Sequence, residues 1–314
     1  MKQIIRNLLT LLSLLRAFLH DYRFCVDQSL TFHKSRHDQQ LAQIMLLMHA
    51  LEKGMSFTDS AREFGGDKAR MLSRRVDKHV DEYGMNDTCV VALNVLHEYL
   101  KNPYATKDAR IREEIEALVA KHRDVVKDGS AGTKVVCEPP AFDKESIETF
   151  FATRSSVRQF SDEPVTDAEV AEALHIASFT PSACNRQTSR VHVFRDRAQM
   201  KDIIDAQLGA QNWCDNASVL FVITANASYF GGVYERHQAL IDGGLYAMNF
   251  VHGLHLQHIA TCFKMFVRDV KLEKRFRRIA EIPANEIPIV LVLAGHYPKK
   301  VITSPKSVRL PMAT

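Results

Sequence analysis

Two arginines four residues apart, with hydroxyl side chains between them, form the most chemically specific segment of this 314-residue chain. The segment reads Arg154-Ser155-Ser156-Val157-Arg158 and follows a predicted helix. Guanidinium groups donate charge-assisted, partly bidentate hydrogen bonds that suit phosphate and other anions. The pattern therefore predicts a local site for an anionic ligand.

The sequence lacks the common catalytic and metal-binding motifs. It has no GxSxG elbow, no GxxxxGK[ST] loop, no GxGxxG after a strand and no HExxH. His252, His255 and His258 recur at a spacing of three, but no acidic or cysteine partner follows at a metal-site spacing, so we interpret them as core or interface residues. Six separated cysteines without a CxxC pair indicate reduced thiols. No metal is predicted.

Composition narrows the class of protein. The chain is 46% hydrophobic and 25% charged, as is typical of a globular protein. Lys and Arg number 41 against 37 Asp and Glu, and a net charge of +4 is too small and too evenly spread for a general nucleic-acid binder. Nucleic acid is therefore not an expected partner, and an acidic ligand requires a local site.

The arginine segment is the first of an ordered series of motifs. After it come Pro164, a capped helix, and then Phe179-Thr180-Pro181-Ser182-Ala183-Cys184-Asn185-Arg186-Gln187 before a strand. The series resembles the nitroreductase family of flavoproteins, whose pattern is Arg-x-Ser-x-Arg/Lys-x-Phe, a helix, Pro-Ser-x-x-Asn-x-Gln and a strand. The resemblance covers residues 142–314 and implies an α+β fold with a central mixed sheet flanked by helices.

The resemblance also implies an FMN site with named residues. The candidates for the FMN phosphate and ribityl chain are Arg154, Ser155, Ser156, Lys306 and Arg309. Arg158 would lie at the pyrimidine edge of the flavin ring, where a fixed positive charge stabilises the reduced, anionic state. Pro181, Ser182 and Asn185 would approach the ring from the other subunit, so the resemblance implies a homodimer.

The activity implied is that of an FMN-dependent oxidoreductase that uses NAD(P)H to reduce a small organic substrate by a ping-pong mechanism. Flavin N5 carries the hydride, so no catalytic side chain is predicted. Reductive dehalogenation and azoline oxidation are alternatives within the same fold. A non-enzymatic alternative is a flavin-binding scaffold that docks a partner without NAD(P)H turnover.

One segment departs from the family pattern. The glycines of the usual Gly-Leu-Gly-Thr correspond here to His258 and Ala260. Histidine adopts a left-handed backbone more readily than most residues, so we expect the turn at His258 to persist.

The first 126 residues predict an all-helical domain that precedes this unit. Helical periodicity with capping or terminating residues predicts helices over 37–53, 67–83, 87–101 and 108–126, with a short helix between Ser56 and Gly65. Residues 127–141 have the composition of a linker. The segment His49-Ala50-Leu51-Glu52-Lys53-Gly54 is similar to an extension of family members encoded with surface-polysaccharide genes.

The remaining segments predict mixed structure and a cytoplasmic protein. Helices are predicted over 142–153, 166–180, 198–208 and 244–256, and strands over 191–194, 219–224 and 287–294.

Residues 4–24 are rich in leucine, but Arg6, Asn7 and Arg16 interrupt them, which excludes a spanning helix. Their apolar stripe predicts packing on another helix or weak contact with a membrane surface. No signal-peptide cleavage site follows, so we expect a cytoplasmic location.

Overall fold

The computed structural model describes residues 2–31, 35–57, 62–208 and 216–301. The N-terminal half consists of helices, as predicted: α1 (Lys2–Gln28), α2 (Arg36–Met55), α3 (Gly66–Tyr83), α4 (Asp87–Lys101) and α5 (Ala109–Lys121). The side chains of Ser35, Asn86 and Asp108 accept hydrogen bonds from first-turn amides of α2, α4 and α5. These caps explain why the helices begin where they do.

Some predicted boundaries in this half are wrong. Helix α2 runs through Gly54, which we expected to end it. A Cβ at Gly54 would lie 2.3 Å from a ring carbon of Phe64, so glycine is required there for close packing. Ser56 caps the C-terminus of α2, and α5 ends at Lys121 before the predicted Val126. The short helix predicted between Ser56 and Gly65 falls largely on residues that the structure does not describe. Residues 58–61 lie outside the described ranges.

The helical half has its own core. Most of the buried side chains come from α2, α3, α4 and α5, and the fully enclosed ones include Ile44, Leu51, Leu72, Val76, Leu93, Leu96 and Ile115. No helix or strand lies between α5 and the next helix at Lys144. The domain boundaries of 1–126, 127–141 and 142–314 remain a prediction.

The C-terminal half is α+β, as predicted. Its helices are α6 (Lys144–Thr153), α7 (Asp167–Ser178), α8 (Arg197–Asp205), α9 (Gln238–Leu256) and α10 (Val270–Ile279). Its strands are β1 (Ser189–Phe194), β2 (Val219–Asn226), β3 (Ile259–Met265) and β4 (Glu286–His296). The predicted capping box of α7 is confirmed, because Thr166 and Glu169 each accept a hydrogen bond from the other's backbone amide.

The four strands form one sheet in the order β1-β2-β4-β3, and every pair is antiparallel. We expected a mixed sheet. Among the described residues of this half, parallel pairing is limited to an isolated bridge between Ser156 and Thr261. The sequence did not predict β3 or α10, because β3 interrupts its apolar residues with Thr261 and Lys264 and α10 is mostly charged.

Helices cover both faces of this sheet. Side chains of α7 and α9 pack on one face, and those of α8 and α10 pack on the other. Helices α7 and α9 approach so closely that a Cβ at Gly253 would lie 2.7 Å from the Cα of Ala173. Among the helices described, none has the length and apolar character needed to cross a bilayer.

The two halves of the chain are in contact. Helix α2 packs against two short 3-10 helices of the C-terminal half, Ala183–Asn185 and Ala227–Tyr229. The Leu30 amide donates a 2.9 Å hydrogen bond to the Phe230 carbonyl. The helical half therefore reaches the segment that carries Ser182 and Asn185.

Candidate functional site

The arginine segment lies along strand β3. Arg154 caps the C-terminus of α6, and Ser156 pairs with Thr261 through the parallel bridge. The Val157 amide donates to the Thr261 carbonyl over 2.9 Å, and the Val157 side chain is buried. These contacts fix the backbone between the two arginines against the sheet.

The positive charges of this segment act on neighbouring groups. Burial raises the pKa of the Cys262 thiol, and the nearby guanidinium groups of Arg158 and Arg154 oppose that rise. Desolvation lowers the pKa of His252 and of His255, and Arg154 lowers both further. The half-buried Arg154 has no carboxylate partner among the described residues. Its charge is therefore available to an anionic ligand.

The histidines at the end of α9 have structural contacts. The rings of His252 and His255 pack on Phe150 at centroid distances of 5.4 and 5.0 Å. The Nε2 atom of His255 lies 3.1 Å from the Phe150 carbonyl oxygen and from the Thr153 hydroxyl. These contacts hold α6 on α9 and so place Arg154.

The second group of predicted residues lies near the start of α9. Ser182 accepts a 3.0 Å hydrogen bond on its hydroxyl from the Gln187 amide, and the Ala183 amide donates to Asp242 over 2.9 Å. A cavity of about 200 Å³ opens here. The residues that line it include Pro181, Ser182, Gln187, Ser189, Arg190, Asp242 and Tyr246.

The structure does not bring the two groups together within one chain. Pro181, Ser182 and Asn185 lie by Asp242, whereas Arg154 lies by His255. Asp242 and His255 are thirteen residues apart on α9, which is about 20 Å along a helix. Lys306 and Arg309 lie outside the described residues.

Left-handed backbone is concentrated in the second group. Cys184, Asn185 and Gln187 have φ values of 53°, 52° and 49°. His258, at the turn before β3, has a φ of 59°, so the expectation that histidine would preserve this turn is confirmed.

Sequence reasoning missed three candidates in and around this segment, namely Arg186, Glu235 and Asp242. Arg186 is 1% exposed, and its guanidinium forms a bidentate ion pair with Glu235. Asp242 is also buried and holds the Ala183 amide. The position of Arg186 between Asn185 and Gln187 could have indicated a role in this segment. Its role could not be read from the sequence, because Tyr229 and Glu235, which it binds, lie more than 40 residues further along the chain.

Comparison with known proteins agrees with the residue pattern. The model of the nitroreductase family matches residues 151–212, which contain both predicted groups that the structure describes. The match to the family model is confined to these residues.

A curated relative matches beyond this segment. A protein of Archaeoglobus fulgidus, provisionally named as an NADH dehydrogenase/NAD(P)H nitroreductase, is 28% identical over 148 residues. The match covers 47% of this chain and 82% of the relative.

Solved structures of nitroreductases resemble the C-terminal half. An FMN-dependent nitroreductase of Clostridium difficile has 17% identity and a TM-score of 0.42, over 53% of this chain and 99% of the other. A nitroreductase family protein of Clostridium novyi has 20% identity and a TM-score of 0.44, over 48% of this chain and 85% of the other.

Proposed function

We propose that this protein is an FMN-dependent oxidoreductase. The observation that carries the proposal is the Arg154–Arg158 segment, which combines two guanidinium groups and two hydroxyls on a backbone fixed to β3. This donor set suits a phosphorylated, anionic cofactor. It lies within the residues that match the nitroreductase family.

Each residue of the segment has a proposed task. Arg154 would hold the FMN phosphate, and Ser155 and Ser156 would donate to the phosphate or ribityl oxygens. Arg158 would place positive charge at the pyrimidine edge of the ring. Bound flavin would supply the redox chemistry, by taking a hydride at N5 from NAD(P)H and passing it to a small organic substrate. Lys306 and Arg309 are proposed as further ligands of the phosphate.

The distance along α9 between the Ser182 group and the arginine segment supports a homodimer. A second subunit would bring its Pro181, Ser182 and Asn185 to the arginine segment of the first, since one chain keeps these groups apart. Helix α9 has exposed apolar side chains, including Ile241 and Leu245, that could pack across a two-fold axis. Each dimer would then contain two equivalent sites.

The decisive experiment is the absorbance spectrum of the purified, FMN-loaded full-length protein before and after NADPH under argon. Bleaching of the flavin band, followed by recovery when a nitroaromatic acceptor is added, is expected. A flavin band that NADPH and NADH both leave unchanged would favour the scaffold alternative. A protein that binds no FMN would refute the proposal.

We further propose that α1 contacts an anionic membrane surface from the cytoplasmic side, where NAD(P)H is available. Its apolar side chains are exposed, and residues 2–20 of the helix include Lys2, Arg6 and Arg16 but no acidic residue. Basic helices with a broad apolar face bind anionic lipid in the interface plane. The exposed apolar residues are Ile4, Ile5, Leu8, Leu9, Leu11, Leu12, Leu14, Leu15, Phe18 and Leu19.

A further inference from the structure

The segment Ser182–Gln187 has a backbone that its own sequence does not favour. Cys184, Asn185 and Gln187 are all left-handed, although none is glycine. Such conformations persist where surrounding contacts over-determine them, and they are concentrated at ligand-binding and switch regions. Internal bonds, such as the 2.9 Å bond from the Asn185 amide to the Ser182 carbonyl, close the turn but do not anchor it.

Arg186 anchors this segment to the chain that precedes α9. Its Nε donates to the Ala183 carbonyl over 3.0 Å, and one terminal nitrogen donates to the Tyr229 carbonyl over 2.6 Å. Both terminal nitrogens also bind the Glu235 carboxylate. The guanidinium lies 4.5 Å from the centroid of the Phe230 ring. A buried guanidinium thus joins the turn to residues 229–235.

Tyr229 connects this anchor to the helical half. Its side chain is 8% exposed and lies in the core of the helical half, while its carbonyl accepts the Arg186 hydrogen bond. The adjacent Phe230 carbonyl accepts from Leu30, and the Asp38 carboxylate accepts from Ser228. One short stretch of backbone is therefore fixed by the helical half on one side and by Arg186 on the other.

Arg186 is also close to α2 itself. Desolvation lowers the pKa of His49 on α2, and the positive charges of Lys53 and Arg186 lower it further. Helix α2 packs directly on the 3-10 helix Ala183–Asn185. The helical half therefore contacts the turn both directly and through Tyr229.

We propose that the helical half is a positioning element for one side of the cofactor site. Tyr229 and Arg186 are its positioning residues, and they hold Ser182 and Asn185 in the left-handed turn that faces the site. The assignment of this turn to a flavin site rests on the proposed function. A partner or membrane that moves the helical half would change cofactor binding through this connection.

The test is hydrogen–deuterium exchange of the full-length protein without FMN, read at the Asn185 and Gln187 amides. In Tyr229→Ala, peptides that contain residues 182–187 should exchange at least tenfold faster, while β2 and β4 keep their protection. Tyr229→Phe keeps the ring and should match the wild type. Tyr229→Leu provides a milder variant if the alanine variant does not fold.

Two further variants distinguish a specific connection from general loosening. Ile115→Ala creates a cavity in the same helical core, on α5, which packs on α3 and α4. It should leave exchange in residues 182–187 unchanged. Arg186→Lys keeps the positive charge but cannot reach Ala183, Tyr229 and Glu235 together, so it should accelerate exchange there without loosening the helices. If residues 182–187 exchange at the wild-type rate in both Tyr229→Leu and Arg186→Lys, the proposal is overturned.

FMN affinity, measured by quenching of flavin fluorescence, provides the second measurement. Tyr229→Ala and Arg186→Lys should each raise the FMN dissociation constant at least tenfold, and Ile115→Ala should not. If the wild type binds no FMN, the proposed function fails while the exchange data still decide the positioning role. If exchange accelerates but FMN affinity is unchanged, the turn does not serve the cofactor site and this inference is refuted.

Discussion

Replacement of Arg154 by glutamine tests the proposed cofactor site most directly. The guanidinium is half-buried at the end of α6, and the segment behind it is fixed to β3 by the Val157 amide. Glutamine keeps much of the side-chain length but removes the positive charge. We therefore expect the fold to persist while phosphate binding weakens.

The magnitude follows from the type of bond. A hydrogen bond to a charged group contributes about 1.5 to 3 kcal/mol, so the FMN dissociation constant should rise roughly 10- to 150-fold. Isothermal titration calorimetry or flavin fluorescence gives this constant. Arg123→Gln, an exposed arginine outside the family domain, is the matched control.

The histidine pKa values provide an independent measurement. Arg154 contributes to the lowered pKa of His252 and of His255, so Arg154→Gln should raise both values in the FMN-free protein. FMN should raise them in the wild type as well, because its phosphate counters the arginine charge. Proton-detected NMR of labelled histidines follows these titrations. A folded Arg154→Gln protein with the FMN affinity of Arg123→Gln would remove Arg154 from the site.

Four other predictions concern assembly and stability. Light scattering should report a dimer, and a monomer that binds FMN with full affinity would contradict the shared site. Limited proteolysis should cut first in the exposed residues 134–141, since the amides of Lys127 and Gly129 are bonded to α4, and the fragments should stay associated through α2. The protein should sediment with anionic vesicles, and Leu11→Glu should abolish this while neutral vesicles bind neither form. Burial, with the charge of His37, lowers the His79 pKa from 6.5, and Glu82 opposes this less strongly. As the pH falls below 6.5, His79 therefore takes up a proton in the unfolded chain before it does so in the folded chain, and the folded state loses stability. The urea midpoint of unfolding should fall with pH in this range, and His79→Gln should make the midpoint less dependent on pH.

The sequence by itself determined many of the helix starts and the first group of candidate site residues. Capping residues such as Asn86, Asp108 and Thr166 specify helix starts through bonds within a few residues, so their patterns can be read without a fold. The Arg154–Arg158 segment is equally local. Its residue types define anion-binding chemistry wherever the backbone places them, and the motif order around it indicated the family domain.

Only the tertiary structure decided which distant groups meet. The antiparallel order of the sheet, the separation of Ser182 from Arg154 along α9, and the burial of Arg186 against Tyr229 and Glu235 depend on contacts between residues far apart in the chain. Such contacts form because side chains bury apolar area and satisfy buried charges together, and no short window of sequence contains both partners. The helical half shows this most clearly. Its helices were predictable one by one, but its contact with the turn Ser182–Gln187 depends on the packing of α2 on this turn and of the Tyr229 side chain in the helical core.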